Sequence, residues 1–280
     1  MSTTALFAGL IDDAAMFPPG NAPLPEAVDN HQRHRAAWYS PLIGPLLCPA
    51  SRVDELTSQA QAPLPVRLVM DTGAGGIGPA VDAVASDDRL ILSGVEIALP
   101  PEDPVGAARR AVSALDAAVG GPAEEEPAFI EPARAPAWRG ALEVVAEAGY
   151  RAKFRTGGTT ADAFPSESEV AEFIVACLDL GIAFKCTAGL HHAVRRTDAD
   201  DSEQHGFLNI LAAVCVCLDG GDTEAASTVL AERDAAEIVS RLRGLDSARA
   251  SQVRRWFSSY GSCNIREPLD DLIALDLIQK

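Results

Sequence analysis

Lysine is scarce in this chain and oddly placed. Of 23 Lys+Arg, only Lys153, Lys185 and the last residue, Lys280, are lysine. Lys153 and Lys185 each lie near the end of a short apolar run, whereas the helical stretches carry arginine. An amine that attacks a carbonyl must be neutral, and free lysine titrates near about 10.4. Burial and a second nearby cation both disfavour the charged form. A Schiff-base lysine is activated in this way, and arginine cannot replace it because it does not deprotonate usefully. Two strand-end lysines would equally make plain ion pairs with carboxylates such as Glu131 or Asp71. Spacing alone leaves both readings open.

Other residue types invite chemistry too. His191-His192, with Asp12, Asp13 and Glu131, would supply imidazole and carboxylate ligands to a metal-dependent lyase or hydrolase. Adjacent histidines diverge in an extended backbone, which opposes joint ligation. Asp12-Asp13 would be an acid/base pair, or one would point inward while the other caps a turn. Arg155 would meet an anionic group or pair with Glu131. Gly261-Ser262 before a helix would bind an anion through backbone N–H groups, or form an ordinary turn. A non-catalytic barrel that binds a small anion is a further alternative. His31 and His34 fall on a polar helical stretch and read as surface residues. The six cysteines show no CxxC spacing, so a zinc site is not expected, and reduced buried thiols fit best.

Eight units must position these groups. Each is a short apolar run, ending in a turn and followed by a helical stretch. The runs are Ala5–Ile11, Leu42–Leu47, Val66–Met70, Val95–Leu99, Ala128–Ile130, Arg151–Phe154, Ile182–Phe184 continuing through Lys185, and Trp256–Tyr260. Continuous apolar runs are what a parallel sheet buried on both faces requires. The expected helices include Leu24–Ala37, one capped by Ser51, one from Asp103, and a closing Pro268–Ile278. The arithmetic predicts an α/β fold with one (β/α)₈ barrel domain over residues 1–280, whose catalytic groups lie at the strand C-termini. A doubly wound sheet would need a Gly-rich turn after the first strand. Asp12-Asp13-Ala14-Ala15 does not supply one, and Gly73-Ala74-Gly75-Gly76-Ile77-Gly78 follows the third strand as a plain turn. Residues 193–255 form an enlarged seventh-to-eighth connection, with helices near Phe207–Leu218 and Thr223–Leu242. Its acidic stretch, Asp198-Ala199-Asp200-Asp201-Ser202-Glu203, reads as a solvated loop or as a lid.

Size and charge set the outer limits. The 280 residues match one barrel of about 250. A net charge of -17 argues against a nucleic-acid partner or an anionic membrane surface. No run of about 20 apolar residues exists to span a membrane. Met1 to Leu10 lacks a basic n-region, so a cytoplasmic location is expected.

Short motifs add a resemblance. Leu10-Ile11-Asp12, Cys48-Pro49, Val95-Glu96-Ile97, Ile130-Glu131, Lys153-Phe154-Arg155-Thr156-Gly157, Lys185-Cys186-Thr187-Ala188-Gly189 and Tyr260-Gly261-Ser262-Cys263 run in this order along nearly the whole chain. Together the set resembles the deoxyribose-phosphate aldolase family of class I aldolases, which are (β/α)₈ barrels. The resemblance implies a lyase of carbohydrate metabolism, with Lys153 as Schiff-base nucleophile and Lys185 lowering its pKa and moving protons. Asp12 and Glu96 would be partners in that relay. It further implies substrate contacts from Thr156, Gly157, Thr187, Gly189, Gly261, Ser262 and Glu131, while Arg155 and His191, which occupy loop positions where the family differs, are candidate substrate contacts by their own chemistry. The family usually carries aspartate where Glu96 stands, and its phosphate loops are richer in Gly and Ser. The expected substrate is a small aldehyde or keto compound, phosphorylated or not. No cofactor and no bound metal are implied, and a homo-oligomer is left open.

Overall fold

A computed structural model describes residues 3–60, 62–198 and 202–280. The barrel strands are β1 (Ile11–Asp13), β2 (Ile43–Pro49), β3 (Leu64–Met70), β4 (Leu90–Ala98), β5 (Ala128–Glu131), β6 (Arg151–Arg155), β7 (Phe184–Thr187) and β10 (Phe257–Ser262). They close in the order β1-β10-β7-β6-β5-β4-β3-β2, and every neighbouring pair is parallel. The expected (β/α)₈ barrel is therefore present. Helices α2 (Leu24–Ala36), α3 (Val53–Gln59), α4 (Ile77–Ala85), α5 (Pro104–Val119), α6 (Trp138–Glu147) and α7 (Glu167–Leu180) cover it. Strands buried on both faces carry the apolar runs: all four residues of β5 are buried.

Between β7 and β10 lie a short antiparallel ribbon, β8 (Arg196–Thr197) with β9 (Glu203–Gln204), and helices α8 (Phe207–Leu218), α9 (Thr223–Ala231), α10 (Ala235–Arg243) and α11 (Ser247–Trp256). Helix α12 (Arg266–Ala274) follows β10. Every residue of α8 from Phe207 to Cys215 is buried. Among them, Asn209 accepts from Arg195 N and donates to the Val229 and Glu232 carbonyls, tying the connection together. Ala199, Asp200 and Asp201, central to the acidic stretch read as loop or lid, lie outside the described residues.

Several expectations need correction. The first apolar run is a helix, α1 (Thr3–Phe7), then a turn at Gly9 and a three-residue strand. A short apolar run fits a buried helix as well as a strand. Ser51 caps no helix: its N–H and hydroxyl both go to the Asp71 carboxylate, and α3 has no side-chain cap. The Thr223–Leu242 helix is two helices, because Glu232 is extended and Asp234 caps a fresh start by accepting from Ala236 N.

No helix of the described residues is long and apolar enough to cross a membrane.

Candidate active site

One bulge sets the inside of the barrel. Between β3 and β4 the register passes from Val66↔Leu92 to Leu68↔Val95, so β4 carries an extra residue at Ser93-Gly94. Gly94 has φ +121° and would press a Cβ onto the Pro127 carbonyl, so only glycine fits. At the bulge the Ser93 carbonyl accepts from Arg67 Nε at 3.2 Å. Past it, Glu96 is fully buried and reaches the lysines.

Lys153 and Lys185 are register partners on β6 and β7. Opposed residues on neighbouring strands share a face, and both ammonium groups meet carboxylates from across the barrel. Lys185 Nζ lies 2.6 Å from Asp12 Oδ2 and donates to Glu96 Oε1. Lys153 Nζ lies 2.9 Å from Glu96 Oε2 and 3.1 Å from Glu131 Oε2. Arg155 Nε donates to Glu131 Oε1 at 3.0 Å. At the far end, Arg67 Nη1 lies 2.5 Å from Asp12 Oδ2, which also accepts from Ser259 Oγ at 2.7 Å. The Phe129 ring lies 5.0 Å from the Arg67 guanidinium carbon and 5.5 Å from Lys185 Nζ.

The result is one chain of alternating charge: Arg155, Glu131, Lys153, Glu96, Lys185, Asp12, Arg67. Side-chain exposure falls along it from the rim inward, from 45% at Arg155 through 9% at Glu131 and 4% at Lys153 to 0% at Glu96 and Lys185. Of the two amines Lys153 keeps the greater exposure, and at the far end Arg67 is 8% exposed.

Charge state follows from these contacts. Burial acts to lower the Lys153 pKa, but the Glu96 and Glu131 carboxylates outweigh it and hold the group above its ordinary value. Burial acts to raise Glu96, but Lys153, Lys185 and Arg67 outweigh it and hold the carboxyl well below its usual range. Glu131 is lowered by Lys153 and Arg155 against the same burial effect. The expected easy deprotonation of Lys153 is thus corrected: the folded chain keeps it an ammonium, because it has two carboxylate partners. The Lys153 contacts pair charge without good hydrogen-bond direction, so Glu96 Oε2 and Glu131 Oε2 have no hydrogen-bond partner; on the other side of the site Asp12 Oδ1 has none either. Asp71 takes no part in the chain.

The loops at the strand ends join differently. Thr156 donates to the Ala188 carbonyl at 2.5 Å and to Thr187 O at 3.2 Å. A Cβ on Gly157 would come 2.8 Å from Gly189 Cα, and Gly189 has φ +73°. These residues let the β6 and β7 loops touch backbone to backbone, beside half-buried Thr187. Gly261 is the register partner of Asp12, while the Ser262 hydroxyl turns to the Asn264 carbonyl at 3.0 Å. The N–H of Arg266, at the start of α12, is already taken by Asn264 Oδ1.

The histidine pair meets carboxylates other than those expected to join it. His191 Nδ1 lies 2.9 Å from Glu267 Oε2, and His192 Nδ1 lies 3.1 Å from Asp271 Oδ2. Glu267 and Asp271 are four apart on α12 and so share a face. The neighbouring Cys263 thiol and the Glu267 carboxylate hold His191 above its ordinary pKa, against burial. Among the described residues no group of three or more His, Cys, Asp or Glu is placed to hold a metal ion. Asp12, Glu131 and the histidines therefore do not assemble as a ligand set.

Two residues enter the site without having been expected there. Arg67 carries a readable signal, an arginine inside a buried apolar strand; nothing in the pattern singles out Ser259. His31 is not a surface residue: it is fully buried, with Nδ1 3.0 Å from Asp13 Oδ2, while Asp13 Oδ1 caps the turn at Ala15 N. His34 is half-buried and bonds the Tyr39 hydroxyl at 2.9 Å.

No protein-family model and no curated protein matches this chain, so the aldolase resemblance rests on its short motifs.

Proposed function

We propose that the chain is a class I aldolase-like lyase in which Lys153 forms a Schiff base with a small aldehyde or keto substrate. The observation that carries this reading is the in-register lysine pair inside the barrel, with Glu96 between the two amines. The exposure gradient favours Lys153 over Lys185 as nucleophile.

In this reading Lys153 must give up a proton before it reacts, with Glu131, the more exposed of its two partners, as the neighbouring acceptor; the contact that pairs them makes this transfer uphill, and addition to the carbonyl draws it forward. The neutral amine then adds to the carbonyl carbon, and the carbonyl oxygen takes up a proton. Loss of water from that carbinolamine leaves a protonated imine. The imine accepts the electron pair of an adjacent breaking C–C bond. Lys185, Asp12 and Glu96 keep the surrounding charge matched while protons move. Arg155, half-exposed at the rim, is the group nearest solvent for an anionic substituent.

The test is mass spectrometry after incubation with small aldehydes and keto acids plus borohydride. An adduct on Lys153 is expected, absent from both Lys153→Ala and Lys153→Arg. An unmodified Lys153 across the panel would refute the assignment.

A further inference from the structure

Outside the barrel interior, a cavity of about 310 Å³ opens between α7 and the segment that links β5 to α6. Its volume falls at the small end of ligand pockets, which run from about 300 Å³ upward. Phe154 belongs to it, whereas its neighbour Lys153 belongs to the interior; successive strand residues face opposite sides. The cavity is therefore separated from the lysine chain by the barrel wall.

The lining has a definite chemistry. Phe154, Phe173 and Trp138 form a continuous aromatic wall. Phe154 stacks on Phe173 at 4.4 Å between centroids, and Trp138 lies 6.2 Å from Phe173. Opposite charges on the rim are mostly spoken for. Arg134 is paired with Glu169 at 2.8 Å and donates to the Asp162 carbonyl at 2.9 Å. Glu169 also closes the capping box of α7 with Ser166. Glu172, half-buried on the same helix, has no hydrogen-bond or ion-pair partner among the described residues. The lining thus carries one unmatched negative charge beside three aromatic rings, one of which, Trp138, already has the Arg139 guanidinium 4.8 Å from its ring centre. That combination recognises an organic cation with an apolar body: the rings attract the cation and bury the body, and the carboxylate pairs with the ammonium. The net charge of -17 draws cations toward the whole surface.

We infer that this cavity is a binding site for a small aryl- or alkylammonium ligand, distinct from the barrel interior. The occupant is a primary amine whose apolar end rests on Phe154, Phe173 and Trp138 and whose ammonium meets Glu172.

The probe is 2-phenylethylamine, titrated calorimetrically into the full chain at neutral pH, with phenylacetate as the oppositely charged control. Saturable binding of the amine is expected, with weaker binding of the acid. A change in tryptophan emission should accompany it and vanish in Trp138→Phe. Glu172→Gln should weaken the amine by about two- to fivefold, the range of a partly exposed ion pair. Ala133→Trp, which fills the cavity, should abolish binding. No saturable binding by a protein with an unchanged melting curve would overturn the site. So would equal binding of phenylacetate, or binding that survives Ala133→Trp.

Discussion

Glu96→Gln is the sharpest perturbation of the alternating chain. The side chain keeps its volume and loses one charge. Three buried cations then remain, Lys153, Lys185 and Arg67, against Asp12 and Glu131. Removing one partner of a buried ion pair costs about 3–5 kcal/mol, because the charge left behind stays desolvated. Glutamine retains a carbonyl acceptor for Lys185, which puts the expected loss near the lower end, about 3 kcal/mol. For a chain of this size that corresponds to a fall in Tm of about 6–12 °C. Adding Lys185→Met removes the excess cation and should recover part of the loss; the double-mutant cycle measures the coupling.

The same substitution acts on Lys153 in a fixed direction. It deletes one of the two carboxylates that hold this amine above its ordinary pKa, while burial continues to push downward. The Lys153 pKa must fall. Reductive methylation across pH, read by mass spectrometry, reports it directly. Exposed Lys280 serves as the internal reference, and the chain has no other lysine besides Lys185. A Glu96→Gln protein that melts within a degree of the parent, with an unchanged ratio of Lys153 to Lys280 labelling across pH, would refute the reasoning.

Two further outcomes follow from burial. Burial pushes the Cys48 thiol up to about 12, and Cys215 and Cys217 to about 11, whereas half-buried Cys263 lies 3.9 Å from His191 Nδ1. Iodoacetamide at pH 8 should therefore modify Cys263 first, and His191→Gln should slow it; peptide mapping that finds Cys217 ahead of Cys263 would contradict this. Burial lowers the His205 pKa below 6.5 in the fold, with Nε2 on the Pro165 carbonyl and Nδ1 3.2 Å from Arg195. Its contribution is fully present above the unfolded value of about 6.5 and is lost as pH falls below it. The protection factors of amides at the start of α8, taken relative to the intrinsic exchange rate at each pH, should fall from pH 7 to 5.5 in the parent, and less so in His205→Gln.

Which parts of this could be read from residues alone depended on how local their cause was. Barrel strands were legible because burial on both faces writes an unbroken apolar run, as at Ala128–Ile130. The lysines were legible because a cation at the end of such a run needs a reason. Ala5–Ile11 misled because it is short enough to suit either a helix or a strand, and only Gly9 marks the break. His31 misled because Asp29, Asn30, Gln32 and Arg33 around it are polar; its bond to Asp13 spans eighteen residues and leaves no periodic trace. The contacts of Glu96 depend on the register shift at Gly94, a property of two strands together. The roles of Thr156, Gly157 and Gly189 are likewise pairwise, since each is defined by the neighbouring loop.

The interior of the barrel poses a physical question that stability does not answer. Barrels of this kind usually fill the interior with layers of Val, Ile and Leu. Here one region of the interior carries Asp12, Arg67, Glu96, Lys153, Lys185 and Ser259 instead. A buried set of matched charges is no more stable than well-packed apolar residues of similar volume, and commonly less so by about 1–4 kcal/mol. Each lysine touches two carboxylates, so a proton on either amine has two acceptors within ion-pair distance. Arginine, which holds its protons, stands at the rim as Arg155 and at the far side as Arg67, which pairs with Asp12 and also comes within 3.9 Å of Glu96. The groups able to exchange protons occupy the middle, and the group next in line from solvent after Glu131 is Lys153. Arginine would hold the same carboxylates with more donors, so lysine in the middle of the chain is what the proposed Schiff-base reading requires.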